Sequence, residues 1–462
     1  MSGKLWPLIT ALLVAASLVA EAQTSAPAAG TNAVSRAGVL QLFDGSILHG
    51  SLDTMSPSNG LRWDFPAAEK PLRFTPTNLA SVRFDTTAGA VAGARPNSRF
   101  KFKNGDDIFG DLAQVTDSQV ALQTWFGSDL KAAREALHSI VFSRKGFATL
   151  YEGPTSAEGW KMGNTPRPWI YRDGVFVAQS ADALGRDVGL KGSSRVEFDL
   201  AWVGSLSMSV TLYTENVSRF DYGSSSYMFY LGPGSLSLQR VQAGAGVMLL
   251  GQAQIPAMFK KNKMRLELRC NTEEGTIAAY ADGQLLQKWK DQNGFVAKGT
   301  GLVFFSQMDG PSVKVSNIKV SEWDGRFENE GVTETKDDVL YLANRDKVVG
   351  NLMGVADGKV KFKASDTELQ IPLERVTQIV FAPGATNQAP TAPWEVRAHF
   401  SAGETVALNL EHWDGKQFLG KSRNFGQVSF KPEAVREIHF NLDRHRLAES
   451  GSAPVDEFLE LE

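Results

Sequence analysis

The sequence predicts an all-β chain: a central β-sandwich flanked by four small five-stranded β-barrel repeats. Three observations predict it. A pattern of about 45 residues recurs four times, two copies on each side of a middle stretch that lacks it. The middle stretch alternates apolar and polar residues in short runs, with turn residues after roughly every ten positions. The chain also holds 43 glycines and 27 phenylalanines and few helix-period runs.

Taken in order, residues 1–22 read as a signal peptide. Lys4 supplies the positive start, Leu5 to Ala20 is apolar, and Ala20-Glu21-Ala22 is a small-x-small cleavage signal, so the mature chain is expected to begin at Gln23. The apolar run, about 16 residues, falls short of the ~20 that span a bilayer. Residues 23–36 are a flexible lead-in, and no later run is apolar enough to span. The expected address is therefore exported, periplasmic or extracellular, with no transmembrane segment after cleavage. The single cysteine, Cys270, excludes an intramolecular disulfide and a cysteine-rich zinc site.

The repeats are expected at 37–86, 97–146, 337–383 and 394–442, joined by linkers at 86–98, near 324–337 and at 383–393. Each opens with an alternating strand and a turn, at Asp44-Gly45, Asn104-Gly105, Asn344-Arg345 or Ala402-Gly403. Asp-Gly and Asn-Gly supply the positive φ of a tight hairpin. Gly50, Gly110 and Gly350 follow at one spacing, where the fourth copy has Leu408, and are expected to allow a sharp strand bend. The segments before each last strand, such as PTNLAS and KPEAVRE, read as single 3₁₀ or helical turns. The last strands carry Val82-Arg83-Phe84, Ile140-Val141-Phe142, Ile379-Val380-Phe381 and Ile438-His439-Phe440. This layout resembles SH3-like and Sm-like barrels, and the turn-and-glycine segments resemble the first Sm motif. Sm-like proteins usually bind RNA, but Arg83, Val141, Val380 and His439 stand in the closing strands without the family's Arg-Gly. The net charge of −3 supplies no basic field. Nucleic acid is therefore not an expected partner. Repeats three and four could pair in space with one and two, closing around the sandwich, and residues 443–462 form a flexible acidic tail.

Residues 148–325 are the sandwich. VEFDLAW puts Val196, Phe198, Leu200 and Trp202 on one face and Glu197 and Asp199 on the other. SLSMSVTLY puts Leu206, Met208, Val210 and Leu212 inward, and Ser207, Ser209, Thr211 and Tyr213 outward. MRLELRC buries Met264, Leu266, Leu268 and Cys270. Trp160, Asn164, Trp169, Asp173-Gly174, Tyr280, Asp282-Gly283, Gly301 and the run Asn317 to Trp323 resemble a concanavalin A-like lectin/glucanase jelly roll. The resemblance is nearest to laminin-G-like and 3-keto-disaccharide hydrolase-like domains. It implies a jelly-roll fold that hosts lectins, glycosidases and purely structural modules.

No catalytic residue is assigned. β-Glucan-cleaving members of this fold carry Glu-x-Asp-x-x-Glu. Here Glu197-x-Asp199 is followed by Trp202, so the acidic pair is read as a solvated face matched to Arg195, Arg265 or Arg269. No G-x-S-x-G occurs, and the six histidines share no metal or catalytic spacing. Cofactors and metals are accordingly assigned as none. The candidate ligand-binding residues are Tyr213, Asn216, Tyr227, Tyr230 and Arg240, because a Ser/Thr/Tyr face and a Tyr-rich loop combine aromatic faces with short polar groups. The expected function is a non-catalytic binding or scaffold protein, with glycans or cell-envelope proteins as partners. The alternative is a glycoside-active enzyme of the 3-keto-disaccharide hydrolase-like kind.

Overall fold

A computed structural model describes residues 35–85, 95–327, 336–383 and 392–445, the single positions 128, 145, 220 and 311 excepted. The signal peptide, its cleavage point at Gln23, and most of the lead-in, linkers and tail lie outside the described residues. The chain is all-β, and among the described residues its helical turns are 3₁₀ turns and one short turn at Leu442–His445.

The middle of the chain is a jelly-roll sandwich of an eight-stranded and a seven-stranded antiparallel sheet. Period-two alternation builds it. Val196, Phe198, Leu200 and Trp202 enter the core, met by Met264, Leu266, Leu268 and Cys270 from the neighbouring strand and by Met208, Val210 and Leu212 across the sandwich. Burial pushes the Cys270 thiol well above its ordinary value, which suits a small apolar core residue.

Four five-stranded units flank the sandwich. The first is Arg36–Leu42, Ile47–Ser56, Gly60–Asp64, Leu72–Phe74 and Leu79–Phe84. In each unit the first strand pairs with the second and the fifth, and the second, third and fourth follow as a meander. The third and fourth units repeat the scheme. A 3₁₀ turn precedes each fifth strand: Pro76–Asn78, Arg134–Ala136, Leu373–Arg375 and Pro432–Ala434.

The fifth strands join the units in pairs. Leu79–Phe84 runs antiparallel to Val435–His439, linking units one and four. Leu137–Phe142 runs antiparallel to Val376–Val380, linking two and three. One apolar cluster runs through all four units. Phe84 stacks on Trp413 at 5.0 Å, and Phe126 of the second unit sits 4.2 Å from Phe400 of the fourth. The four units are thus a single body packed on the sandwich.

The repeated glycines act differently from the bend expected of them. None of Gly50, Gly110 and Gly350 has a positive φ. A Cβ on Gly350 would stand 2.1 Å from the Lys363 carbonyl oxygen, and one on Gly50 2.1 Å from that of Asp64. Close approach of the facing strand is therefore what requires glycine, and a β-bulge follows within a few residues. In the fourth unit Leu408 takes the position, and the glycine has moved across to the facing strand as Gly420.

Candidate functional site

The two outer faces of the sandwich differ in chemistry. On the eight-stranded sheet, one cross-strand row reads Glu152, Lys319, Glu197, Glu267 and Tyr280. Arg195 and Arg269 flank it on one side, Asp199 and Arg265 on the other. The four-unit body covers this face. Arg436 of the fourth unit donates to Glu152 at 3.0 Å, Lys319 donates to the carbonyl of Ala402, and the Lys319 ammonium lies 4.7 Å over the Phe109 ring of the second unit. Clefts of about 820 and 620 Å³ remain between the two layers.

The acids here are bound up in ion pairs. Arg265 meets Asp199 at 2.7 Å and Glu197 at 3.4 Å; Arg195 meets Glu197 at 3.1 Å and Glu267 at 2.7 Å; Asn317 donates to Asp199 at 2.6 Å. Burial pushes the Glu197 carboxyl up, but Arg195, Arg265 and Lys319 outweigh it and hold the group well below the carboxylate range. The pairing expected of Glu197 and Asp199 is present, but only Asp199 keeps a solvated side chain, 37% exposed, while Glu197 is 8% exposed. Deeper in, burial raises the Glu404 carboxyl to about 7, against the pull of Lys319 and the Trp125 indole N–H that it accepts at 2.6 Å. Glu404 is fully buried, so no substrate reaches it. Burial likewise lowers Lys319, opposed by Glu197, Glu152 and Glu404.

The outer face of the seven-stranded sheet is chemically opposite. Its register aligns Ala183, Phe305, Ser209, Tyr230, Ser237 and Gln252 in one row. A second row continues through Val303, Thr211, Met228 and Gln239. Neither stretch contains a charged side chain, the second row meeting a charge only at its far end, where Gly185 leads to Lys161. Phe305 and Tyr230 are half-buried and flank the buried Ser209. The hydroxyls of Ser209, Thr211 and Ser226 have no hydrogen-bond partner among the described residues. Tyr230 reaches Ser207 at 3.1 Å, which in turn donates to Gln307. The loop after Met208–Thr214 bounds one end of the face. Gly185 and Gly301 let Val217 lie directly on the sheet there, since a Cβ on Gly185 would stand 2.1 Å from the Val217 carbonyl oxygen.

The predicted ligand residues separate on this map. Tyr230 is on the open face, and Asn216 is half-buried in the bounding loop, where its side chain accepts from Ser218 N–H. Tyr213 is not on the face. A bulge between Leu212 and Thr214, with Tyr213 at φ 58°, turns its ring into the core, where its hydroxyl donates to the Gly192 carbonyl at 2.9 Å. Tyr227 lies in the strand Ser226–Gly232, not in a loop. It shares the inward parity of Phe229 and Leu231 and is fully buried. Both rings pack on Phe295, Tyr213 edge-on at 4.9 Å and Tyr227 stacked at 4.4 Å. The aromatic surface of Tyr213 and Tyr227 is thus taken by the protein itself. Arg240 is 8% exposed and ion-paired with the buried Asp291 at 3.4 Å, which also accepts from the Tyr227 hydroxyl at 2.7 Å. Phe305 and Met228 were missed by the sequence reading; register with Ser209 and Thr211 is the signal that places them.

No family model matches the chain, and no curated protein does. Among solved structures, similarity covers a little over a third of the chain. A carbohydrate-binding module from Bacillus subtilis matches at 10% identity, covering 36% of this chain and 96% of its own, with a TM-score of 0.27. The carbohydrate recognition domain of Emp47p matches at 11%, covering 39% and 98%, with a TM-score of 0.31. A glycosyl hydrolase-like protein from Parabacteroides distasonis matches at 15%, covering 38% and 99%, with a TM-score of 0.27.

Proposed function

We propose that this is an exported, non-catalytic binding protein whose sandwich takes a glycan on the open face of its seven-stranded sheet. Its four flanking units, read as small SH3-like or Sm-like barrels, form the scaffold that covers the opposite face. The observation that carries the reading is the neutral row Phe305–Ser209–Tyr230–Ser237–Gln252. Aromatic rings offer apolar surface to the C–H faces of a pyranose, while hydroxyl and amide groups match its hydroxyls, and no charge demands an ionic partner. The hydroxyls of Ser209 and Thr211 are buried, so the hydrogen-bonding groups that this row opens to a glycan are those of Tyr230, Ser237 and Gln252. Glycoside hydrolysis needs an acid carboxyl open to substrate. Glu197 is ion-paired and only 8% exposed, and Asp199, 37% open at its side chain, is held by Arg265 and Asn317, so neither fits that role.

The test is a glycan array with the full chain, followed by titration of whichever glycan is retained. Tyr230→Ala should weaken binding about tenfold, equivalent to roughly 1–2 kcal/mol of stacking, with little change in melting temperature. Absence of any retained glycan, or retention indifferent to Tyr230→Ala and to Gln252→Ala, would defeat the reading. Export rests on the residues around Ala20 to Ala22; recovery of secreted material beginning elsewhere than Gln23 would count against that part.

A further inference from the structure

Sheet edges invite strand pairing, and most edges of this sandwich are guarded against it. Lys161–Met162 and Ile170–Arg172 are two and three residues long. Thr149–Gly153 is tied by Glu152 to Arg436 of the fourth unit. Gln284–Lys290, the far edge of the eight-stranded sheet, carries Lys288 and Lys290. The far edge of the seven-stranded sheet is neither short, tied nor charged, and a bulge at Leu250 is the irregularity in its pairing. Gly246–Gln254 is nine residues long, with no charge and no proline. Val247, Met248 and Leu249 on it are 46%, 41% and 60% exposed, and Leu285 on the adjoining edge is 46% exposed.

We propose that this edge is a self-association surface: Gly246–Gln254 pairs antiparallel with the same strand of a second copy across a two-fold axis. Self-pairing places the strand against itself, so any charge would meet a nearby like charge. An uncharged strand meets its copy without that penalty, and an acidic or basic partner strand would find no complement here. The lysines of Gln284–Lys290 repel a copy at the neighbouring edge, leaving one strand for the contact. Nine residues span ~30 Å, and a sandwich edge ~15 Å thick gives about 900 Å² buried in total, just under the usual range for specific interfaces. The expected dimer is therefore weak. A two-fold axis perpendicular to the sheet keeps both seven-stranded sheets facing the same way. Two open faces would then meet one polymeric partner together, although the dimer does not depend on the glycan reading.

Sedimentation of the full chain from about 1 to about 100 micromolar should show a monomer–dimer equilibrium. Amide exchange across 246–254 should slow as concentration rises. The double variant Val247→Lys/Leu249→Lys should weaken dimerisation at least about tenfold without lowering the melting temperature, because both side chains are exposed. A monomer at every concentration overturns the proposal; it is the outcome expected if another protein, or another segment of this chain, takes the edge. A dimer indifferent to the two lysines overturns it as well, because the contact then lies elsewhere.

Discussion

Replacing Gly350 by alanine adds one carbon where the facing strand leaves no room. The new Cβ would stand 2.1 Å from the Lys363 carbonyl oxygen and 3.0 Å from both the Lys363 carbonyl carbon and Phe362 Cε1. The nearest atom is backbone, so no rotamer relieves the overlap. The strands Lys347–Ala356 and Lys359–Ala364 must separate by roughly 1 Å, stretching the cross-strand hydrogen bonds on either side of Leu352. Overpacking and weakened pairing of this kind cost about 1–3 kcal/mol. On an unobstructed strand the same change is favourable by about 0.5–1 kcal/mol, because glycine loses more backbone freedom on folding. The sign of the effect therefore decides between close approach and mere flexibility. Urea titration of the full chain, following both midpoint and slope, is the assay. Gly50→Ala should behave alike, and Gly110→Ala should cost less, its nearest carbonyl oxygen being 2.5 Å away. Stability at or above the parent for Gly350→Ala would refute the reasoning.

Other outcomes follow from the buried polar groups. Glu404, raised by burial to about 7, binds more protons folded than unfolded between its usual 4.5 and 7, so it lowers stability as pH rises through that window, by up to about 3 kcal/mol. Glu404→Gln, which still accepts from Trp125, should raise the melting temperature at pH 8 and leave it little changed near pH 4; equal effects at both would contradict the burial of the charge. Tyr227→Phe strips the buried Asp291 of a donor and should cost roughly 1–3 kcal/mol in urea titration, with glycan retention unaltered. Gly420→Ala should destabilise the fourth unit, since its Cβ would stand 2.6 Å from the Asn409 carbonyl oxygen; an unchanged midpoint would show that the glycine has not changed strands.

The sequence by itself determined the parts that depend on neighbours along the chain. Period-two alternation placed Val196, Phe198 and Leu200 inside the sandwich, and the recurring turns and closing strands marked four like units. Tyr227 was also legible: counting back by two from Leu231 and Phe229 turns it inward, although the serines and glycine just before it read as a loop. Tyr213 was not, because the bulge that inverts its side chain comes from the pairing of Met208–Thr214 with Gly301–Ser306, nearly 90 residues away. The covered face was equally beyond reach. Lys319 meets the Ala402 carbonyl and Arg436 meets Glu152 across the fold, so Glu197, which alternation marked as solvent-facing, is buried in an ion-paired layer. Which side of a strand an amino acid occupies follows from a local period. Which of two polar faces is covered, and which edge strand is left open, follows from contacts that exist only once distant segments have packed.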